Sequence, residues 1–405
     1  MRWGIYYLRM NPSDIYGLNI ILFAAAIGFL AWNDQILLLP FAALLPFLWA
    51  EAPTRIQAGL AALVYYLAAA RGLPHGTQVF FGADAPPYFG YALWAGASLL
   101  LALPWFALWS RELTPRAVAW RMPLALALTA LPPIGIFGWA HPLTAAGALF
   151  PGWSWGGLAA LCVLMYWSCI MRGIGRPLLA AAFVAAYALA FMHAEKPAAW
   201  RGIDTEYGGT VLSGQQALAN YIMRAYDTNT GLIERTAKLP ARSIALYPES
   251  LAGPWTPTTA DLWRPAADRL IAKGSTVMLG AEVFHPSGKY DNVIISVGSD
   301  AGIKYRQRMP VPISMWRPYS NQGAVAHWFD SGVFELHGQR VAALICYEQL
   351  LVWPALVSLA HNPQVIVAPS NAWWSRDTSI PDIQRTALRA WARLFDVPLV
   401  TAFNI

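Results

Sequence analysis

The apolar positions of this chain follow two different rhythms. Up to about residue 193 they form long runs, at about 18–32, 36–50, 56–70, 88–109, 122–139, 143–170 and 177–192. A membrane-spanning helix needs about 20 apolar residues, with a range of ~17–25. The fourth, fifth and sixth runs meet that length, and the first three reach it by borrowing uncharged flanking residues. Pro151, Gly152, Gly156 and Gly157 interrupt the sixth, which reads as one broken span. The pattern predicts a membrane domain over 1–193 with about seven transmembrane helices, the first an uncleaved anchor. A buried helical core accounts for one short run, but a water-soluble fold of this size does not hide seven.

From 194 to 405 the apolar runs are short and separated by turn residues. "SIALYPES" (243–250), "STVMLGAEVF" (275–284), "NVIISVG" (292–298), "VAALICYE" (341–348) and "PQVIVAPS" (363–370) read as strands. The "SDAG" after the third is a hairpin-like turn. Helical spacing recurs at 214–227, 351–360 and 382–395, the last with Ile383, Ala387, Ala390 and Leu394 on one face. Strands alternating with helices predict an α/β domain.

Charge sharpens the division. Residues 1–193 hold nine Arg, no Lys and five acidic residues, leaving nineteen basic and seventeen acidic residues beyond. With the N-terminus in the cytoplasm and seven crossings, Arg2, Arg9, Arg55, Arg111, Arg116, Arg121, Arg172 and Arg176 share the cytoplasmic side, and Arg71 alone lies opposite. This positive-inside bias places the C-terminal domain in the periplasm of a Gram-negative inner membrane, whereas an even number of crossings would reverse it. The net charge of +6 therefore reflects membrane orientation, and no direct nucleic-acid binding is expected. Three Cys exclude a disulfide scaffold. Seven scattered His, with no HExxH, CxxC or phosphate-loop pattern, give no reason to expect a metal or other cofactor.

Candidate chemistry sits at strand ends. Cys346 follows an apolar run and fits either an inert buried thiol or a nucleophile that needs a neighbouring base. Glu249 also ends an apolar strand, where partial burial would raise its pKa and suit it to accept the thiol proton; a capping or solvated carboxylate is the plainer reading. "IKYRQRMPVP" (303–312) offers Lys304, Arg306 and Arg308 to a developing oxyanion.

"YPES" (247–250), "YRQRMPVP" (305–312) and "LICYEQL" (344–350) resemble the three signature regions of the nitrilase (carbon-nitrogen hydrolase) superfamily. With the preceding spans, the chain resembles apolipoprotein N-acyltransferases, and within that group the plasmid-encoded conjugal-transfer TraB family. "YDN" (290–292), "PSNAWW" (369–374) and Gln384, Leu388, Arg389 and Ala390 add to the match. The resemblance implies an αββα sandwich and a Glu–Lys–Cys triad, with Glu249 as general base, Cys346 as nucleophile and Glu348 as a carboxylate near the site. The lysine does not carry over: its position holds Gln307, and the following histidine position holds Met309. In a strand, 304, 306 and 308 share one face and 305 and 307 the other, so an inward Gln307 turns Lys304 away unless the backbone bulges.

The resemblance implies acyl transfer from a phospholipid through a Cys346 thioester to an amine, the acceptor being lipoprotein-like, in the service of conjugal transfer. Trp316, Trp373 and Trp374 are candidate pocket rings, though plain core packing accounts for them equally. Two rival readings stand beside it. One is an amidase or hydrolase using the same Glu and Cys. The other is a non-catalytic or altered envelope component acting with other conjugation proteins.

Overall fold

The computed structural model describes residues 11–171, 173–209 and 217–405. Arg2, Arg9 and Arg172, used above for orientation, and the start of the expected helix at 214–227 lie outside the described residues.

The first half is helical. Its α-helices are α1 (Pro12–Ala31), α2 (Leu45–Glu51), α3 (Arg55–Ala69), α4 (Leu73–Phe81) and α5 (Phe89–Leu108). They continue with α6 (Pro115–Ala130), α7 (Ala146–Leu149), α8 (Ser154–Ile170) and α9 (Gly175–Phe191). Local chemistry sets several starts. Thr54 and Thr114 accept the N–H groups of Gln57 and Ala117, and Pro115 occupies the first turn, where its missing N–H costs nothing. Small residues allow close crossings: a Cβ on Gly28 of α1 would lie 2.4 Å from the Tyr65 carbonyl oxygen of α3.

Among the described residues, α1 and α5 are long and apolar enough to cross a membrane unbent. The pairs α3–α4, bent by 50°, and Pro142–Leu149 with α8, bent by 117°, meet the same test together and bring the number to at most four. By length and composition the described helices thus supply two to four candidate spans, against the expected seven. The 36–50 run is wound partly as a 3-10 helix (Ile36–Leu44), and its apolar stretch Ile36–Glu51 is short, as is α9. The 122–139 run is divided because α6 stops before the Pro132-Pro133 pair, which cannot continue it.

The second half is two stacked sheets. One contains β1 (Arg201–Gly202), β2 (Ile244–Leu246), β3 (Thr276–Phe284), β4 (Lys289–Gly298) and β5 (Gly302–Arg306) in that spatial order, with β6 (Gly323–Ala324) also paired to β4. The other contains β7 (Val333–Leu336), β8 (Gln339–Ala343), β9 (Val365–Asn371) and β10 (Leu399–Asn404), ordered β10-β9-β8-β7. Leu246, Met278 and Ile294 meet Val341, Ile345, Val367 and Ala402 in the buried layer between them. Helices α10 (Ala217–Ala237) and α11 (Pro257–Ala272) cover the first sheet with Leu232, Trp263 and Leu270. Helices α12 (Val352–Ala360) and α13 (Ile380–Phe395) cover the second.

Helix α13 also joins the two halves. Its Ile383, Leu388 and Trp391 share one continuous core with Trp49, Tyr65 and Leu161 of the first half. A Cβ on Gly147 of α7 would lie 1.8 Å from the Ala390 carbonyl oxygen, so only glycine permits this approach. That seam carries membrane-half residues to the rim of the site described next.

Candidate active site

Cys346 lies one turn beyond the end of β8. It opens a 3-10 turn, Cys346–Leu350, with φ of +45°, a backbone region that non-glycine residues rarely adopt. Three buried side chains hold the turn. Glu348 accepts the N–H groups of Ile345 (2.8 Å) and Arg308 (2.7 Å) and the Tyr305 hydroxyl (2.8 Å). Gln349 Nε2 donates to the carbonyls of Leu344 and Pro369, and Gln384 Nε2 on α13 donates to the Cys346 carbonyl, each at 3.0 Å. Gln384 Nε2 also lies 3.9 Å from Sγ.

Glu249, in the turn after β2, is 3% exposed. The Cys346 thiol and this carboxylate line the same cavity and each shifts the proton affinity of the other. Asn292 Nδ2 on β4 donates to Oε1 at 2.6 Å, and the Asn371 N–H at the end of β9 donates to Oε2 at 3.1 Å. Burial pushes the Glu249 pKa up to about 7, against the opposing pull of these donors. Burial, together with the Glu249 charge, raises the Cys346 thiol as well. At neutral pH the pair therefore rests as a protonated thiol against a carboxyl poised between its two states.

Gln307 points inward and is fully buried. Its Oε1 accepts from Asn292 Nδ2 at 2.8 Å, and its Nε2 donates to the Ile345 carbonyl at 3.1 Å. One Asn292 amide thus holds Glu249 and Gln307 together. Lys304 is not brought to the site: its Nζ is paired with Asp300 at 2.5 Å. Arg306 leads to Asp291. Arg308 lies just past β5, so strand alternation no longer governs it. It turns into the core, where Nε contacts the Tyr305 hydroxyl at 2.9 Å and Nη2 contacts Ser358 at 2.8 Å. Glu348 faces this Arg308–Tyr305 cluster and holds the Cys346 turn through the backbone.

Glu249 and Cys346 open onto a cavity of about 790 Å³. Its walls come from both halves: Leu73, Thr77, Phe80 and Phe81 of α4 pack against Trp373 and Trp374 after β9. Phe80 lies 6.5 Å from Trp373 and 6.0 Å from Trp374 between ring centroids. A second, apolar cavity of about 70 Å³ lies behind the thiol, bounded by Ala69, Leu73, Ile380 and Ile383. Trp316 instead pairs with Trp328 at 5.3 Å. Among the described residues, no group of three His, Cys, Asp or Glu side chains is placed to hold a metal ion.

The family model described as carbon-nitrogen hydrolase matches residues 67–393, well over half of the chain. The chain belongs to the carbon-nitrogen hydrolase (nitrilase) superfamily. It is similar to the conjugal transfer protein TraB of Agrobacterium fabrum, with 40% identity over 408 aligned positions covering 95% of this chain and 92% of that one. It is also similar to the probable conjugal transfer protein TraB of Sinorhizobium fredii, with 41% identity covering 93% and 95% of the two chains. Among solved structures, an amidase from Nesterenkonia sp. aligns with a TM-score of 0.33 and 14% identity, over 51% of this chain and 74% of that one. The carbon-nitrogen hydrolase match begins inside α3, so the family region reaches back into the helical half, consistent with the core shared through α13.

Sequence reasoning did not assign roles to Asn292, Asn371 and Gln384. All three lay within segments that resembled the family, but the signal that they converge is non-local. Asn292 acquires its place from the β3–β4–β5 register, and Asn371 from the parallel β9–β10 pairing, where it lies opposite Asn404.

Proposed function

We propose that this chain is a membrane-bound thiol acyl-transfer enzyme serving plasmid conjugal transfer, with its α/β domain on the periplasmic face of the inner membrane. In this reading Cys346 takes an acyl group from a phospholipid ester and passes it to an amine. The observation that carries it is the placement of Cys346 and the buried Glu249 together on the wall of an apolar cavity that α4 also lines.

Glu249 accepts the Cys346 proton as sulfur attacks the ester carbonyl. The tetrahedral intermediate collapses to a thioester, and Glu249 returns the proton to the departing lysolipid oxygen. The amine, having lost one proton from its ammonium form, then attacks the thioester. Glu249 takes the second amine proton and hands it to the leaving sulfur, restoring the thiol. An acyl chain in the α4-walled cavity contributes about 0.8 kcal/mol per buried CH₂, which favours a lipid donor over a short amide.

The occupant of the family lysine position favours a second reading. Gln307 brings no charge, and its amide is already bonded to Asn292 and Ile345. Loss of one oxyanion donor costs roughly 2.7–4 kcal/mol in related acyl chemistry, which suits a slower hydrolase acting on an activated amide. The test is to incubate purified protein with phospholipid vesicles and a diacylglyceryl peptide, and separately with aliphatic amides. N-acylated peptide supports the first reading and released ammonia the second. Neither product, with both substrates shown to reach the protein, would move the function to a non-catalytic envelope role.

A further inference from the structure

One carboxylate in the cavity has no part in the chemistry described so far. Glu282 sits near the end of β3, and the antiparallel register pairs it with Asn292 of β4. Paired side chains of antiparallel strands lie side by side on the same face. Glu282 is therefore the immediate neighbour of the residue that holds Glu249. The next pair along that face is Phe284 with Tyr290, their ring centroids 5.4 Å apart. Glu282, Phe284 and Tyr290 all line the cavity that contains Cys346. Tyr221 of α10 donates its hydroxyl to Glu282 Oε2 at 2.6 Å.

No cation balances this carboxylate among the described residues. The two arginines on the cavity wall are committed to backbone carbonyls. Arg224 donates to Gly209 and Tyr207, and Arg317 donates to Ile313 and Ser314 at 3.2 and 3.0 Å. Asp291, one residue from Asn292, is by contrast surrounded by His285, His327 and Arg306. A half-buried carboxylate without a counter-ion offers its charge to a cationic ligand in the cavity.

We infer that Glu282 is the recognition site for a primary ammonium group, which the rings of Phe284 and Tyr290 flank. The inference rests on the acyl-transfer reading for the ligand's role: the ammonium belongs to the acyl acceptor. Glu282 carboxylate takes one proton from the bound ammonium, giving a neutral carboxyl and a neutral amine. That amine attacks the Cys346 thioester, Glu249 carries its second proton to sulfur, and Glu282 then releases its proton to solvent. Burial raises the Glu282 pKa, which favours this uptake.

Two measurements on the full chain in detergent separate recognition from turnover. The first follows carbamidomethylation of Cys346 by iodoacetamide in the presence of glycinamide or N-acetylglycinamide. Glycinamide slows the wild type saturably, and N-acetylglycinamide does not. Glu282→Gln, which leaves Tyr221 an acceptor, raises the half-effective glycinamide concentration about tenfold, the equivalent of one charge-assisted hydrogen bond. Tyr221→Phe retains the charge and therefore the glycinamide effect. The second measurement discharges the acyl-enzyme with glycinamide or with hydroxylamine, which is uncharged at neutral pH. The glycinamide-to-hydroxylamine rate ratio falls about tenfold in Glu282→Gln. Equal glycinamide protection in wild type and Glu282→Gln overturns the inference. A wild type that forms no thioester overturns the acyl-transfer reading instead, while the protection assay still decides Glu282.

Discussion

Glu249→Gln is expected to make the protein more stable at alkaline pH while ending its chemistry. The carboxyl titrates near 4.5 when unfolded and at about 7 in the folded protein. A shift of about 2.5 units at 1.36 kcal/mol per unit is about 3 kcal/mol. The pKa is raised on folding, so the associated stability is fully present below about 4.5 and is lost as pH rises through about 7. Above that, the wild type holds an ionised carboxylate in a site only 3% exposed. Gln keeps an oxygen for Asn292 but turns an N–H₂ toward the Asn371 N–H, which donates to Oε2 in the wild type. That lost bond costs roughly 1 kcal/mol. The net expectation is a variant about 2 kcal/mol more stable than wild type at pH 8 and within about 1 kcal/mol of it at pH 4.5. Denaturant unfolding in detergent, followed by tryptophan fluorescence across that pH range, measures the difference. Parallel pH profiles for the two proteins would refute the argument, because Glu249 would then not titrate differently in the folded state.

Four further outcomes follow from the structure. Alkylation of Cys346 should accelerate as pH rises through about 7, the value at which Glu249 becomes an available base, and Glu249→Gln should abolish that inflection. Asn292→Leu removes the amide shared by Glu249 and Gln307; the inflection should move to higher pH, with a stability loss of about 2 kcal/mol read from urea unfolding. At Gly280, an added Cβ would lie 2.4 Å from Glu249 Cα, so Gly280→Ala should displace the carboxyl and slow any Cys346-dependent turnover by roughly a hundredfold, as small misplacements do. Limited proteolysis between the halves should show that Gly147→Ala loosens the α7–α13 seam.

How much of this was readable beforehand depends on the range of the interaction. Glu249 and Cys346 were readable as candidates because each closes an apolar run, a local signal. Strand alternation turned Lys304 and Arg306 away from Gln307, as the structure has them. The same rule mistook Arg308, because β5 ends at Arg306 and the chain beyond is free to rotate inward. Cys346 looked like the last residue of a strand, yet β8 stops at Ala343 and a positive φ starts a turn, which three separate side chains enforce. Composition marked the helical half, but run length carries no information about bends. Among the described residues, the short Ile36–Glu51 stretch, the Pro132-Pro133 stop after α6 and the short α9 leave at most four candidate spans by length and composition. Asn292, Gln384 and Glu282 depend on register and on helix-to-sheet docking, which no window along the chain contains.

The most direct test of the central claim is intact-protein mass spectrometry of the detergent-purified chain after incubation with mixed bacterial phospholipids. The expected result is a mass gain of one acyl chain that hydroxylamine removes and that both Cys346→Ala and Glu249→Gln lack. An unmodified mass in all three proteins, with Cys346 slow to react with thiol reagents, would contradict it.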